Sequence, residues 1–168
     1  MSHRDGRGGD VDADFDALFR AHYARLVRSL SAAGDGAADA VQEAFVQALL
    51  RWRKVSAYDD PIAWVRRVAV HRMLNQHRSR RRRDAAVARL GPVGAADPPN
   101  DVEARAGDLD AVIATLSARQ RMALVLHYFD DLPVAQVADT MGITAGAVKY
   151  HLHEARARLR RALERDRG

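Results

Sequence analysis

Apolar side chains recur at intervals of three and four through most of this chain, and those intervals predict helices. Phe15, Leu18, Phe19, His22, Leu26 and Leu30 fall on one stripe of a helix that starts at Asp14 and ends near the breaker Gly34-Asp35-Gly36. A second helix, opened by Asp39, buries Val41, Phe45, Ala48, Leu49 and Trp52 and turns Asp39, Gln42, Glu43, Val46 and Gln47 outward. After a loop at residues 55–60, Pro61 with Asp60 as its cap starts a third helix whose core side is Ile62, Val65, Val68 and Ala69. On another side Trp64, Arg67, His71, Asn75, Arg78 and Arg82 follow one another at offsets of three or four.

Gly91, Pro92, Gly94, Pro98 and Pro99 then interrupt helical patterning, which predicts a linker. Beyond it Leu109, Val112, Ile113 and Leu116 make a short helix, and Ser117 with Gln120 forms a capping box for the next, through Met122, Leu124, Val125 and Tyr128. Val134, Val137 and Ala138 give one more short helix an apolar face. Gly142 suits the tight turn after it, and Thr144 can cap a last helix with Val148, Leu152, Ala155 and Leu159 on its buried stripe. Two short helices around such a turn predict a helix-turn-helix. A generic antiparallel helix pair with a solvated Arg face shares much of this pattern. The expected architecture is all-α: two small helical domains, residues 13–83 and 108–166, joined by a flexible linker at 84–107 and preceded by a disordered tail at 1–12.

Charge gives the pattern a ligand. The 27 Lys and Arg against 22 Asp and Glu leave a net +5, with a pI near 10.2, and the cations cluster at residues 78–83 and 156–161 on either side of an acidic linker. Lys149, Tyr150, His153, Arg156 and Arg160 are long enough to reach bases and phosphates from a helix in the major groove. On the third helix, an aromatic followed by basic and amide groups suits melted nucleic acid, where Trp64 stacks and the cations track the backbone; Trp64 equally suits a core. The outer face of the second helix reads as solvated surface or as a docking face for a basic partner. The chain lacks cysteine, a signal-peptide pattern and any run of eighteen apolar residues, so disulfides, export and membrane insertion are not expected and a cytoplasmic location is. His151 and His153 diverge by roughly 200° on a helix, which leaves no metal site, and no catalytic constellation or cofactor motif is visible.

These stretches together resemble the extracytoplasmic-function (ECF, group IV) sigma factors of bacterial RNA polymerase. FDALFRAHYARLVRSL is similar to the family's region 2.1, ADAVQEAFVQALLRW to region 2.2 and PIAWVRRVAVHRMLNQHRSRRRR to regions 2.3 and 2.4; the segment from Leu109 to Arg160 is similar to region 4 throughout. The resemblance implies a non-enzymatic initiation factor with three partners: core RNA polymerase, promoter DNA and an anti-sigma factor, and no small-molecule substrate. It implies polymerase contacts at Asp39, Gln42, Glu43 and Val46. Contacts to the melted -10 element fall to Ser56, Ala57, Tyr58, Asp59, Trp64, Arg67, His71, Asn75, Arg78, Arg80, Arg81 and Arg82. Contacts to the -35 duplex fall to Thr144, Lys149, Tyr150, His151, His153, Glu154, Arg156 and Arg160. Three positions depart from the family pattern: Pro133 replaces a capping Ser or Thr, Tyr150 a common Ser, and Glu154 a frequent Arg. A repressor using only the second domain and a sigma-like decoy for an anti-sigma factor are the rival readings.

Overall fold

The computed structural model describes residues 8–90 and 109–166, and among these every regular element is a helix. The chain divides into two compact units, Met1–Met73 and Leu74–Gly168.

In the first unit α1 (Gly8–Ser31) begins inside the stretch expected to be a disordered tail. Missing apolar periodicity predicts a missing buried face, whereas extending an existing helix by a few residues requires none, because propagation is far less costly than nucleation. Residues 1–7 of that tail lie outside the described part. α2 (Ala37–Leu50) starts two residues before Asp39, from Gly36 in the left-handed region at φ 82. Its inner face is Ala40, Val41, Ala44, Phe45 and Ala48, all buried. Leu49 corrects the sequence reading, which placed it on that inner face: it is 49% exposed. At 3.6 residues per turn it stands about 80° from Val41, at the margin of the buried arc.

Trp52 is buried as expected, but on a separate short helix, α3 (Trp52–Val55), entered through Arg51 at φ -117. Four residues are too few to carry a period. Leu30, Val41, Val55, Val65 and Val70 are fully buried in this unit, and an aromatic cluster extends from the buried Phe45 and Trp52: Phe45 meets Phe19 edge-on at 5.0 Å and Phe15 at 6.2 Å, and Phe15 meets Trp52 edge-on at 5.3 Å. Edge-to-face geometry places each ring's positive rim on its neighbour's negative face. α4 (Pro61–Leu90) starts as expected, with Asp60 Oδ1 accepting from the Ala63 N–H at 3.1 Å. Val65, Ala69, Val70 and Met73 are its buried positions. The helix continues through residues 84–90, which the sequence pattern places in the linker. Gly91 and Pro92 are the first residues there that disfavour it.

The second unit holds the remainder of α4 and α5 (Leu109–Ala114), α6 (Ala118–Leu124), a π-helical turn (Val125–Phe129), α7 (Val134–Met141) and α8 (Ala145–Asp166). The capping box at the start of α6 is complete: the Gln120 N–H donates to Ser117 Oγ at 3.2 Å and the Ser117 N–H to Gln120 Oε1 at 3.0 Å. The π-helical turn was not visible in the sequence. It adds a residue to one turn, the Asp130 N–H reaching the Val125 carbonyl at 3.1 Å. Val125 and Leu126 stay inward while Tyr128 and Phe129 are exposed. Leu116, Met122, Leu126, Val137, Val148 and Leu152 form the core.

Candidate nucleic-acid interface

The turn between α7 and α8 has the predicted construction. Gly142 ends α7 at φ 66, a conformation that costs glycine nothing and an L side chain more. Thr144 Oγ1 accepts from the Ala147 N–H at 3.1 Å and so caps α8. Pro133 precedes α7 with no side-chain cap, as expected from its lack of a hydroxyl.

α8 buries Val148, Leu152 and Ala155. At about 100° per residue, Lys149, His153, Arg156 and Arg160 fall within roughly 60° of one another on one flank of that stripe, and all four are exposed. Tyr150, 61% exposed, borders them. Tyr128 approaches the same strip from the π-helical turn, with the Arg156 guanidinium carbon 6.0 Å from its ring centroid. This cation–π contact narrows the positions Arg156 occupies. The turn itself is steadied by His127, whose Nδ1–H donates to the Leu132 carbonyl at 2.8 Å.

Two residues grouped with the strip in the sequence lie elsewhere. His151 and Glu154 fall on the opposite flank of the buried stripe, and both are half-buried. His151 Nδ1 is buried without a hydrogen-bond partner among the described residues. Burial, and then the nearby Arg119 guanidinium, lower the imidazole's pKa from its ordinary 6.5. Arg158 shares that flank and donates to the Thr115 carbonyl at 3.0 Å, which ties α8 to the end of α5.

On α4, Arg67, Asn75, Arg78 and Arg82 are exposed and Trp64 and His71 half-buried; all six lie within roughly 80° of arc. Arg81 borders them and Arg80 points to the other side of the helix. The preceding loop, Ser56, Ala57, Tyr58 and Asp59, is exposed throughout. α4 thus carries an aromatic and cations along one face, and the loop before it adds exposed positions of its own.

On α2, Asp39, Gln42 and Val46 are exposed and Glu43 is half-buried. Glu43 accepts from the Gln47 amide at 3.0 Å, and Arg51 donates to Gln47. Val46 is 44% exposed, and Leu50, four residues on, is 75% exposed. Leu50 was missed in the sequence although its spacing from Val46 places it on the same face. With Leu49 it makes this surface more apolar than a solvated face requires. Among the described residues, no group of three or more His, Cys, Asp or Glu gathers as a metal site, and no helix is long and apolar enough to cross a membrane.

The lowered pKa of His151, and that of His77, set a pH dependence. Protonation is harder in the folded chain than in the unfolded one, so the unfolded state binds more protons and stability rises with pH. The contribution is complete above 6.5 and is lost as pH falls through the lowered folded values. The melting temperature is expected to drop between about pH 7.5 and about pH 5. His77→Gln and His151→Gln together should shrink that drop; an unchanged drop would contradict the assignment.

Comparison with known proteins agrees with this construction. The family model "Sigma-70 region 2" matches residues 18–83 and "Sigma-70, region 4" matches residues 106–159. The chain is 30% identical over 128 residues to the RNA polymerase sigma-E factor of Streptomyces avermitilis, covering 76% of this chain and 71% of that protein. It is 32% identical over 159 residues to the ECF RNA polymerase sigma factor SigM of Mycobacterium tuberculosis, covering 89% and 76%. With SigL of the same organism it shares 33% over 176 residues, 98% and 97% of the two chains. A solved structure of the sigma factor RpoE, in complex with the anti-sigma factor NepR from Bartonella quintana, superposes with a TM-score of 0.66 at 24% identity, over 90% of this chain and 97% of that one. The fold is thus that of a sigma factor, and the chain belongs to the sigma-70 family as one of its ECF RNA polymerase sigma factors.

Proposed function

We propose that this sigma factor docks on core RNA polymerase through α2 and reads a promoter at two places. α8 reads the -35 duplex, and α4 with the loop before it takes the opened -10 strand. The observation that carries the reading is the strip of Lys149, His153, Arg156 and Arg160, an exposed cationic row on the second helix of a helix-turn-helix. Thr144 sets where that helix begins, and Tyr150 stands beside the row, where a base edge is within its reach. His151 and Glu154, on the other flank, are left out of the base contacts.

The α4 stripe supports the -10 assignment because an extruded base costs a few kcal/mol of lost stacking, which Tyr58 and Trp64 can return while arginines hold the backbone. Arg80, on the far side of the helix, contributes to the field more than to that row. The segment that follows α4 connects the two promoter-reading parts. The protein acts by binding, with no reaction of its own, in the cytoplasm. An anti-sigma factor holds it in reserve; the complex of RpoE with NepR supports this for a chain of the same fold.

Polymerase docking is assigned to Asp39, Gln42, Glu43 and Val46, with Leu49 and Leu50 added as their apolar complement. Burying an apolar side chain at an interface is worth about 1.5–3 kcal/mol. Val46→Asp with Leu50→Asp is therefore expected to weaken binding to purified core polymerase by at least roughly a hundredfold, read by fluorescence anisotropy. The melting temperature should stay near that of the parent, since both positions face solvent. Wild-type affinity in the double variant would remove α2 from the interface.

A further inference from the structure

We infer that the cleft where the basic end of α4 faces the start of α6 is an oxyanion site for a small ligand carrying several linked phosphates. Both walls belong to the second unit. The cleft measures about 460 Å³ and is lined by His77, Arg78, Arg81 and Arg82 on α4 and by Ser117 and Arg119 opposite. None of its lining residues is acidic. Among the described residues none of these four arginines has a carboxylate within ion-pair distance.

Spacing explains how the sequence builds it. His77 with Arg81, and Arg78 with Arg82, are pairs four residues apart, so each pair stacks along one side of the helix. Arg119 supplies a guanidinium from the other wall, and the Ser117 hydroxyl, already accepting from the Gln120 N–H, keeps its own proton free to donate. Burial, then Arg121, Arg81 and Arg80, hold the His77 imidazole below its ordinary pKa, so at neutral pH it is an uncharged donor in a cationic field. Guanidinium groups present paired N–H donors that match phosphate oxygens two at a time. Gathering them without a counter-charge is self-repulsive, and a multivalent anion removes that repulsion.

Size selects the class. The volume lies within the ~300–1,000 Å³ of small-ligand pockets and is roughly fifteen times the ~30 Å³ share of a water molecule. A single phosphate leaves most of it empty and touches only part of the ring of donors. A chain of linked phosphates spans both walls. Inorganic polyphosphate and the phosphate chain of a nucleotide share this chemistry. Either ligand takes Arg78, Arg81 and Arg82 away from the -10 strand, so an occupied cleft opposes promoter opening.

The test uses the full chain alone, without polymerase or DNA, so its outcome is independent of the promoter reading. Calorimetric titration with sodium tripolyphosphate at fixed ionic strength is expected to saturate at one ligand per chain. Arg119→Ala should weaken binding by about tenfold. Arg119 is exposed and lies outside the proposed promoter contacts, so the fold is retained. Arg119→Lys, which keeps the charge and loses the paired donors, should fall between the two. Arg156→Ala with Arg160→Ala, on the other basic surface, should bind like the parent. A parallel titration with adenosine triphosphate separates the sources: tighter binding than tripolyphosphate assigns a nucleotide, and equal or weaker binding an inorganic chain. Absence of saturation, an Arg119→Ala variant that binds like the parent, or an equal loss on removing Arg156 and Arg160 overturns the site.

Discussion

Replacing Lys149 and Arg156 together with alanine is expected to abolish promoter-specific transcription while leaving the protein folded and able to bind core polymerase. Both side chains are exposed on the flank of α8 away from its packing stripe, and neither has a hydrogen bond or ion pair among the described residues. Their loss therefore opens no cavity and strands no buried partner. Against DNA the balance is different. A good base contact is worth about 1–3 kcal/mol, so removing two contacts lowers promoter affinity by at least roughly thirtyfold. The phosphate share of that loss appears as a flatter salt dependence. Gel-shift titration on a promoter fragment, beside thermal melting, separates the effects: weaker DNA binding at an unchanged melting temperature supports recognition, whereas equal loss of both makes the strip a folding element. Tyr128→Ala is the milder companion, because it frees Arg156 without removing it.

The second large effect is on stability. Phe45→Ala is expected to cost about 3–5 kcal/mol, since it removes a buried ring and leaves a cavity that a helical core closes only in part. Phe45 is 2% exposed and touches the rings of Phe15, Phe19 and Tyr23. A domain typically has only about 5–15 kcal/mol in total, so the first unit should be largely destabilised at 37 °C, roughly the temperature where such margins matter. Chemical denaturation followed by circular dichroism reads this directly. Phe45→Leu, which keeps most of the volume, should recover much of the loss. A Phe45→Ala protein as stable as the parent would mean that the ring cluster does not hold this unit together.

Much of this organisation was legible in the residues because it rests on local rules. The Asp60 and Ser117 caps, the Gly142 turn and the buried row of Val148, Leu152 and Ala155 each follow from one residue type at one spacing. What escaped depends on how elements meet. Leu49 sits at the margin of an arc, where a small shift in packing decides between core and solvent. The π-helical turn has no sequence period of its own, yet it turns Tyr128 toward Arg156. His151 and Glu154 are -35 candidates through the family resemblance alone, and on α8 they stand across the buried stripe from Lys149. A helix separates neighbours in sequence, and the row of Lys149, His153, Arg156 and Arg160 follows offsets of three and four instead. The cleft at α6 was invisible for a further reason: Arg119 and Arg82 are far apart in sequence, and no local pattern brings them to one site.

In the proposed function, this chain directs core polymerase to a promoter through both of its basic surfaces. Reconstituted transcription tests it most directly: core polymerase, the full chain and a pool of genomic fragments, with transcript starts mapped by sequencing. Discrete start sites that share two spaced elements upstream are expected. These starts should vanish with Lys149→Ala and Arg156→Ala and with Val46→Asp and Leu50→Asp. Transcripts no different from those of core polymerase alone, with a chain shown to be folded, would contradict it.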